Sequence, residues 1–366
     1  MGLVLHDFST GGSERIAIRL ANRWAASGRR VTIVCGLAEG PLKAMVSPDV
    51  AVLEPCPAIP RGLGSRRRLG RAAADALAPA PPDVLFVPGN FHWPVIAPFV
   101  ARLGRNAPPV VAQISSPLRR PDRGPLRQAL FDRRFRRTMR PVAAVVALAD
   151  ETARQADAIL SRRITVTAPL PALEDEMARP EPAPAGCRTI LAAGRLAPQK
   201  DFDLALRAFA RLPQPARLVI LGEGPLWADL QRTAARLGVL DRVEMPGFVP
   251  DIRPWLDQAR VFLLSSRYEG YGAVVIEALA AGRPVVSTDC TPATHELIGQ
   301  VGCGAVTPVG DVQALADALA AELAAAPPDA GTLAAAVDGH RIGPIANVYL
   351  EILDRAVAAR AAARHD

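Results

Sequence analysis

Two cationic side chains stand five residues apart in a short loop. Arg195 and Lys200 lie in the segment Gly194–Asp201, directly after an apolar run. Two cations converging on a pyrophosphate would stabilise the negative charge that develops when a nucleoside diphosphate leaves. Lys200 is one of only two lysines among 43 basic residues, which favours a chemical role over a pair of solvated charges. Asp201 is expected to cap the helix that follows.

A second segment places two carboxylates around a glycine turn. Glu269 precedes Gly270 and Gly272, and Glu277 follows about one helical turn later. The glycines allow a tightly curved backbone whose amides can face a phosphate or a sugar. The carboxylates can accept hydrogen bonds from hydroxyls at opposite ends of one ligand. Glu269 as a turn cap and Glu277 as an exposed helical residue remain alternatives, although the apolar stretch around Glu277 favours binding.

Two weaker patterns accompany these segments. Gly11 and Gly12 open a helix directly after the first apolar run, where backbone N–H groups favour an anion, although a plain strand-to-helix turn explains them equally well. Asp201-Phe202-Asp203 has the form of a metal-binding DxD motif. Both carboxylates fall at a helix start, where acidic residues are expected in any case, so no metal site is predicted.

The elements that must position these residues are short β-branched runs alternating with helical stretches. Such alternation predicts parallel sheets covered on both faces, with ligands beyond the carboxyl ends of the strands. Strands are predicted at 3–8, 31–36, 50–53, 84–87, 109–115, 144–148 and 164–167, and again at 189–193, 218–221, 242–245, 261–264, 285–287 and 304–306.

The length of 366 residues and the interruption of the pattern indicate two doubly wound α/β domains. Residues 1–170 would form the first domain and 188–343 the second, joined by a Pro-, Ala- and acid-rich linker at 171–187. Residues 344–366, including a helix over Pro344–Arg364, have no strand after them and could pack on either domain.

The charge is distributed unevenly. Residues 1–180 hold 26 basic and 15 acidic residues, net +11, whereas 181–366 hold 17 and 21, net −4. The two halves are therefore expected to meet different partners, and nucleic acid is disfavoured because aromatic residues make up only 5%. Five scattered cysteines, no long apolar run and no basic leader before Phe8 predict a soluble intracellular protein.

These motifs together resemble the family-4 retaining glycosyltransferases. The matching text is AAGRLAPQKDFDLALRAFARL, LVILGEGPLWADL, DRVEMPGFVPDIRPWL and SSRYEGYGAVVIEALAAGRPVVSTD, in the order and spacing of the family. GGSERIAIRLANRWAASGRRVTIV is similar to the glycine-loop opening of the family. The resemblance implies the GT-B fold, two Rossmann-like domains facing across a cleft, with the C-terminal helix at Pro344–Arg364 crossing back to the first domain.

The resemblance also implies roles for individual residues. Arg195 and Lys200 would hold the donor diphosphate, and Glu277 the nucleotide ribose. Glu269 would act at the donor sugar, and Gly11 and Gly12 would close over the phosphates. The remaining donor-binding candidates are Gly222, Glu223 and Phe248 around the base and the backbone of Gly270, Tyr271, Gly272 and Ala273.

The expected reaction is transfer of a sugar, with anomeric retention, from a UDP-sugar rather than a GDP-sugar to a hydroxyl of a glycan or lipid-linked glycan. No cofactor or metal is implied. Family members often carry a histidine near the reacting carbon, where this chain has Ser115 and Ser116. His92 is the nearby substitute, although half-buried structure is its more ordinary role.

The segment Arg119–Arg140 contains nine arginines in 22 residues. Leu130, Phe131, Phe135 and Met139 add a partial apolar stripe, so the segment is either a membrane-surface helix or a solvated one. The first reading places the protein in the cytoplasm, peripheral at the inner face of the plasma membrane, in surface-polysaccharide or glycolipid assembly.

A non-catalytic nucleotide-sugar-binding protein of the same fold is the alternative, motivated by the absent histidine. A Rossmann oxidoreductase is disfavoured because neither domain opens with GxGxxG followed by an acidic residue about 20 positions later. The oligomeric state, the sugar and the acceptor linkage have no sequence signal.

Overall fold

Each predicted β-branched run forms a strand in the computed structural model, which describes residues 1–120, 123–299 and 302–363. Within these ranges the chain divides into two compact units. The first unit contains residues 1–174 together with the C-terminal residues from 341, and the second unit contains residues 175–340. Each unit has its own parallel sheet and its own apolar core.

The sheet of the first unit has seven parallel strands in the order β3-β2-β1-β4-β5-β6-β7 within the described residues. The strands are β1 (Gly2–Leu5), β2 (Val31–Cys35), β3 (Val50–Leu53), β4 (Leu85–Val87), β5 (Val110–Gln113), β6 (Ala144–Ala147) and β7 (Thr165–Thr167). The helices of this unit are α1 (Gly12–Ala26), α2 (Ser65–Leu77), α3 (Gly89–His92), α4 (Ile96–Leu103), α5 (Pro125–Met139) and α6 (Asp150–Leu160), followed at the C-terminus by α14 (Ile342–Ala362).

The sheet of the second unit has six parallel strands in the order β10-β9-β8-β11-β12-β13, again counted over the described residues. The strands are β8 (Thr189–Ala193), β9 (Arg217–Leu221), β10 (Val243–Gly247), β11 (Val261–Leu264), β12 (Val285–Thr288) and β13 (Gly304–Thr307). Its helices are α7 (Phe202–Phe209), α8 (Trp227–Arg236), α9 (Arg253–Asp257), α10 (Ala273–Ala280), α11 (Pro292–Ile298), α12 (Val312–Ala324) and α13 (Ala330–Ala335).

Both sheets therefore have the order expected of Rossmann-like domains, which confirms the predicted fold class. The central strands β4, β5, β11 and β12 are buried along their whole length, because helices cover both faces of each sheet. In each sheet the strand order reverses once, between β1 and β4 and between β8 and β11. Loops diverge at such a reversal and leave a crevice at the carboxyl edge of the strands.

Helix α14 packs within the first unit. Gln113 at the end of β5 donates a hydrogen bond from Nε2 to the buried hydroxyl of Tyr349 at 2.7 Å. Trp24 of α1 donates from Nε1 to the carbonyl of Ala346 at 3.1 Å, and the rings of Trp24, Phe86 and Tyr349 pack together. Arg364, the predicted end of this helix, lies outside the described residues, as do residues 365 and 366. No helix in the described ranges is both long and apolar enough to span a membrane.

Candidate functional site

The strongest sequence candidates meet at the carboxyl edge of the second sheet. The segment Gly194–Asp201 follows β8, and the segment Ser265–Ala273 follows β11. These two strands are neighbours at the reversal of strand order, so the loops after them border the same crevice. The topology thereby brings together two motifs that are about 70 residues apart in the chain.

Lys200 and Glu269 form an ion pair at this edge. The Nζ of Lys200 lies 2.7 Å from Oε1 of Glu269, and the two side chains are only 19% and 10% exposed. The hydroxyl of Ser266 donates to the same carboxylate oxygen at 2.6 Å. An ammonium group has three N–H donors, so the pair leaves Lys200 with donors for a phosphate oxygen. The ion pair therefore fixes a cation and a carboxylate in positions where both can contact one ligand.

Three hydrogen bonds fix the loops that carry the pair. The hydroxyl of Ser265 donates to the carbonyl of Lys200 at 2.8 Å, and Nε2 of Gln199 donates to the carbonyl of Tyr268 at 2.9 Å. The amide of Arg267 donates to the carbonyl of Gln199 at 2.8 Å. These contacts join the loop after β8 to the loop after β11, so the geometry of the pair depends on both.

Arg195 lies in the same loop and is exposed. Within the described part of the chain its side chain has no carboxylate partner, so its charge is available to an anion. The neighbouring Gly194 has a φ of +151°, and a Cβ there would lie 2.9 Å from Cε of Lys200. Glycine at 194 therefore allows Lys200 to pass close to the backbone beside Arg195.

The carboxylates of the DxD motif pair with arginines. Asp201 lies 2.7 Å from Nε of Arg267, and Asp203 lies 2.6 Å from Nε of Arg207. The prediction that Asp201 caps α7 is wrong, because its backbone is left-handed (φ 48°) and its side chain makes no capping hydrogen bond. A capping residue has extended backbone, whereas the Asp201 carboxylate pairs with Arg267 instead of the first amides of α7.

A depression of about 470 Å³ adjoins the loop after β8. It is lined by Glu223, Gly224, Trp227, Met245, Pro246 and Gly247. The backbone of Leu196 joins the depression to the cationic loop, since its amide donates to Glu223 and its carbonyl accepts from Leu226. Gly222 has a φ of +129°, and a Cβ there would lie 2.0 Å from the carbonyl oxygen of Gly194. Close approach of the two turns requires glycine at 222.

Two aromatic side chains are exposed near this depression. Trp227 at the start of α8 is 41% exposed and lines it, and Phe248 directly after β10 is 37% exposed. Aromatic faces of this kind stack on nucleobases. Phe248 was a sequence candidate, whereas Trp227 was not, although an exposed tryptophan at a helix start after a Gly-Pro turn is a usable signal.

Helix α10 begins directly after the glycine turn. Gly272 has a φ of +94°, and the helix starts at Ala273, so the free amides of its first turn come directly after the loop that carries Glu269. Glu277 is partly exposed one turn along this helix. The side chain of Tyr271 is buried, with its ring centroid 5.6 Å from that of His340. Only the backbone of Tyr271 is therefore available to a ligand.

In the first unit, Gly11 and Gly12 begin helix α1, but the reason for glycine differs from the expected one. Gly11 has extended backbone, and a Cβ there would lie 2.0 Å from Oε2 of Glu14. No atom of the described residues lies within 4 Å of a Cβ placed on Gly12. The Glu14 carboxylate therefore folds back over Gly11, and Gly12 alone has open space for a ligand.

Glu14 belongs to a charged cluster that sequence reasoning missed, in which two buried carboxylates meet the exposed side chain of Arg61. Nη2 of Arg61 lies 3.1 Å from Glu14 and donates to Asp7 at 2.7 Å. Burial raises the pKa of Glu14. Burial also opposes ionisation of Asp7, but contacts with His6, Arg61 and Ser9 hold its pKa well below the usual range. Asp7 and Glu14 could have been noticed beside the glycines, whereas Arg61 lies in a loop without a pattern.

His92 is fully buried beside β1. Its Nδ1 lies 2.7 Å from the carbonyl of Pro88, and its Nε2 accepts from the amide of His6 at 3.2 Å. Burial lowers the pKa of His92 to about 4, partly opposed by the Pro88 contact. Both ring nitrogens are thus engaged by the backbone and the ring is neutral, so the structure does not bring His92 to a ligand-facing position.

Helix α5 forms the later part of the basic segment, from Pro125 to Met139, and Pro121 and Asp122 lie outside the described residues. Phe135 and Met139 are buried against the first core, and Phe131 packs partly against it. The predicted stripe is therefore mainly the core-facing side of the helix. The prediction that Leu130 belongs to this side is wrong, because its side chain is 56% exposed. Leu126 on the same helix is also exposed, at 83%.

Comparison with known families covers most of the chain. Residues 187–324 match the family described as Glycosyl transferases group 1, and residues 11–172 match the one described as Glycosyl transferase 4-like domain. The first match contains the cationic loop, the depression and the glycine turn of the second unit. The second match contains Gly11, Gly12, Glu14, Arg61 and His92, whereas Asp7 lies before it.

Individual proteins are similar over parts of the chain. The lipopolysaccharide core biosynthesis glycosyltransferase LpsE of Rhizobium meliloti is 40% identical over 105 residues, 29% of this chain and 31% of its own length. The Campylobacter jejuni N-acetylgalactosamine-N,N'-diacetylbacillosaminyl-diphospho-undecaprenol 4-alpha-N-acetylgalactosaminyltransferase is 37% identical over 110 residues, 30% of each chain. The matches thus span about a third of these relatives.

A solved structure is similar over the whole chain. Anabaena Alr3699/HepE, crystallised in complex with UDP and glucose, superposes with a TM-score of 0.72 at 18% identity over 98% of each chain. At this identity the similarity concerns the fold.

Proposed function

Since the chain belongs to the family-4 glycosyltransferases of the GT-B fold, we propose that it transfers a sugar from a nucleoside diphosphate sugar to a hydroxyl group, with anomeric retention. The observation that carries the proposal is the Lys200–Glu269 pair at the reversal of strand order, beside the depression after β9 and β10. Cation, carboxylate and base-sized depression together suit one nucleotide sugar.

The diphosphate would be held by Lys200 and Arg195. When the bond between the sugar and the diphosphate breaks, negative charge builds on the leaving phosphate oxygen. Preorganised cations at that position lower the barrier, because they interact more strongly with the developing charge than with the ground state. The amides at the start of α10 would add to this stabilisation. The acceptor oxygen then bonds to the sugar carbon on the same face, and its proton leaves with the diphosphate.

The carboxylates would bind hydroxyl groups of the donor. Glu269 is the candidate for the donor sugar, and Glu277 for the ribose. The base would occupy the depression beside Trp227 and Phe248, near Gly222 and Glu223. UDP is the preferred donor nucleotide, which is supported by the UDP held in Alr3699/HepE. A metal-independent reaction is proposed because the DxD carboxylates are paired with Arg207 and Arg267.

The acceptor is proposed to be a glycan or lipid-linked glycan of a cell-surface polysaccharide or glycolipid. The names of LpsE and of the Campylobacter enzyme refer to lipopolysaccharide core and to a diphospho-undecaprenol acceptor. The first unit, which carries most of the positive charge, is the candidate acceptor domain. Because His92 is buried and does not face a ligand, the retaining reaction would depend mainly on the contacts with the diphosphate.

Peripheral binding at the inner face of the plasma membrane is a separate proposal. Leu126 and Leu130 are exposed on α5 among the arginines of Arg119–Arg140. Exposed leucines between cations suit the interface of an anionic bilayer. We expect sedimentation with anionic liposomes at low salt, weakened by Leu126→Ser/Leu130→Ser but not by Leu63→Ser, which changes an exposed leucine outside this helix. Absence of sedimentation at low salt would refute it.

The catalytic proposal is tested by incubating the protein with UDP- and GDP-sugars and an acceptor panel and measuring nucleoside diphosphate release. Release is expected with the wild type and is expected to fall by about a hundredfold or more in Glu269→Ala and Lys200→Ala. Arg217→Ala, at the opposite edge of the same sheet, is the control. Tight UDP binding without turnover on any acceptor would instead indicate a non-catalytic nucleotide-sugar-binding protein.

A further inference from the structure

Four arginines surround a depression in the first unit. Arg136, Arg137 and Arg140 lie at the end of α5, and Arg162 lies two residues after α6 ends. With Leu160 they line a depression of about 350 Å³, here named the arginine pocket. All four arginines are exposed, whereas Leu160 is buried. The pocket shares no residue with the proposed donor site.

Helix capping accounts for only part of this charge. Nη1 of Arg162 donates to the carbonyl of Arg140 at 3.3 Å, which satisfies one carbonyl at the end of α5. Two helix C-termini contribute about half a negative charge each. Against four guanidinium groups, roughly three positive charges remain without compensation.

Carboxylates do not supply that compensation. None of the four arginines pairs with an acidic side chain within residues 1–120, 123–299 and 302–363. Asp132 on α5 accepts from Gln128 at 2.7 Å. Asp157 on α6 accepts from the amides of Ile164 and Thr165. An external anion would therefore reduce the electrostatic repulsion among the four arginines.

We propose that the arginine pocket binds a phosphate group with at least two negative charges. Guanidinium groups are planar, remain charged at all relevant pH values and form paired hydrogen bonds with phosphate oxygens. The volume lies at the lower end of the range for small-molecule sites, which suits a phosphomonoester or diphosphate group. The group belongs either to a lipid headgroup or to a soluble phosphorylated compound.

The first experiment uses inorganic pyrophosphate as the probe. Calorimetric titration at low salt is done on the full chain carrying Arg195→Ala/Lys200→Ala, which removes the cations of the donor site. Arg136→Gln/Arg137→Gln is expected to weaken pyrophosphate binding about tenfold or more, because each lost charge-assisted hydrogen bond is worth about that factor. Arg133→Gln/Arg134→Gln removes the same charge from the same helix outside the pocket and is expected to change binding less than about twofold.

Equal losses in the two double variants, or no saturable pyrophosphate binding before they are made, would overturn the proposal. Arg140→Gln provides an independent check at a third position, and each variant must melt within about 2 °C of its parent. If Arg136→Gln/Arg137→Gln does not fold, Arg140→Gln decides the outcome by the same criterion.

Vesicles distinguish the two sources of the phosphate group. Phosphatidylcholine vesicles with about 20% phosphatidic acid present phosphomonoesters, and those with the same fraction of phosphatidylglycerol present phosphodiesters. A preference for phosphatidic acid that Arg136→Gln/Arg137→Gln abolishes and Arg133→Gln/Arg134→Gln retains indicates a lipid headgroup. Pocket-dependent pyrophosphate binding without such a preference indicates a soluble compound. Either result supports the site.

Discussion

The Lys200–Glu269 pair makes the most specific energetic prediction. Lys200→Met leaves the Glu269 carboxylate, whose side chain is 10% exposed, with Ser266 as its hydrogen-bond donor. Removing one partner of a buried pair costs about 3 kcal/mol or more, since the remaining charge is desolvated without compensation. Glu269→Gln is expected to cost less, about 2 kcal/mol, because a lysine can extend its ammonium group to water.

The double variant Lys200→Met/Glu269→Gln removes both charges. Its cost is expected to be about 2 kcal/mol below the sum of the single costs, because no unpaired charge is left. Urea unfolding followed by tryptophan fluorescence measures this, with Trp227 and Trp255 in the second unit. In a unit of this size, 3 kcal/mol corresponds to a fall in Tm of about 9 °C.

The exposed pair of Arg267 and Asp201 is the internal control for this cycle. The side chain of Arg267 is 57% exposed, so the coupling energy there is expected to be below about 1 kcal/mol. If the effects of Lys200→Met and Glu269→Gln add within about 0.5 kcal/mol, the two groups do not interact as described, and their assignment as one preorganised unit is refuted.

Three further predictions concern single positions. Gly222→Ala places a Cβ 2.0 Å from the carbonyl oxygen of Gly194 and is expected to lower the free energy of unfolding by more than about 2 kcal/mol and to weaken UDP binding; wild-type values would contradict this. Burial lowers the pKa of His92 from 6.5 to about 4, so the unfolded chain takes up this proton at a higher pH than the folded chain does. The free energy of unfolding of the first unit is therefore expected to fall by about 3 kcal/mol as the pH is lowered from 6.5 to 4. Urea titrations in that range should show a shallower loss in His92→Gln, and an unchanged slope would refute it. Tyr349→Phe leaves Nε2 of Gln113 without its acceptor and is expected to cost about 1–3 kcal/mol in urea unfolding, whereas a change under about 0.3 kcal/mol would show that the hydrogen bond contributes little.

The fold was predictable because its strands are short apolar runs with helices between them. Strands such as β4 and β11 are buried on both faces, so they appear in the sequence as uninterrupted runs of apolar residues. The order of the strands has no comparable signal in composition or periodicity. The face of α5 was misread because Leu130 has the hydropathy of a core residue, and only tertiary packing places it in solvent.

The candidate site was predictable where glycine and charge stand together in one loop. Lys200 and Glu269 were identified separately, but their pairing depends on the adjacency of β8 and β11. The capping prediction for Asp201 is wrong because its backbone is left-handed and its carboxylate pairs with Arg267, a residue of another loop. The cluster around Arg61 and the arginine pocket have no sequence signal for the same reason, since the residues of each come from segments that are distant in the chain.

The central claim is that the carboxyl edge of the second sheet binds a nucleoside diphosphate through Arg195 and Lys200. The direct measurement is the Kd of UDP for the wild type, Arg195→Ala, and the control Arg217→Ala at the opposite end of β9. Loss of one cation from the diphosphate contacts is expected to raise the Kd about tenfold or more in Arg195→Ala and to leave it unchanged in Arg217→Ala. Equal affinities in all three proteins, or no UDP binding by the wild type, would contradict the account.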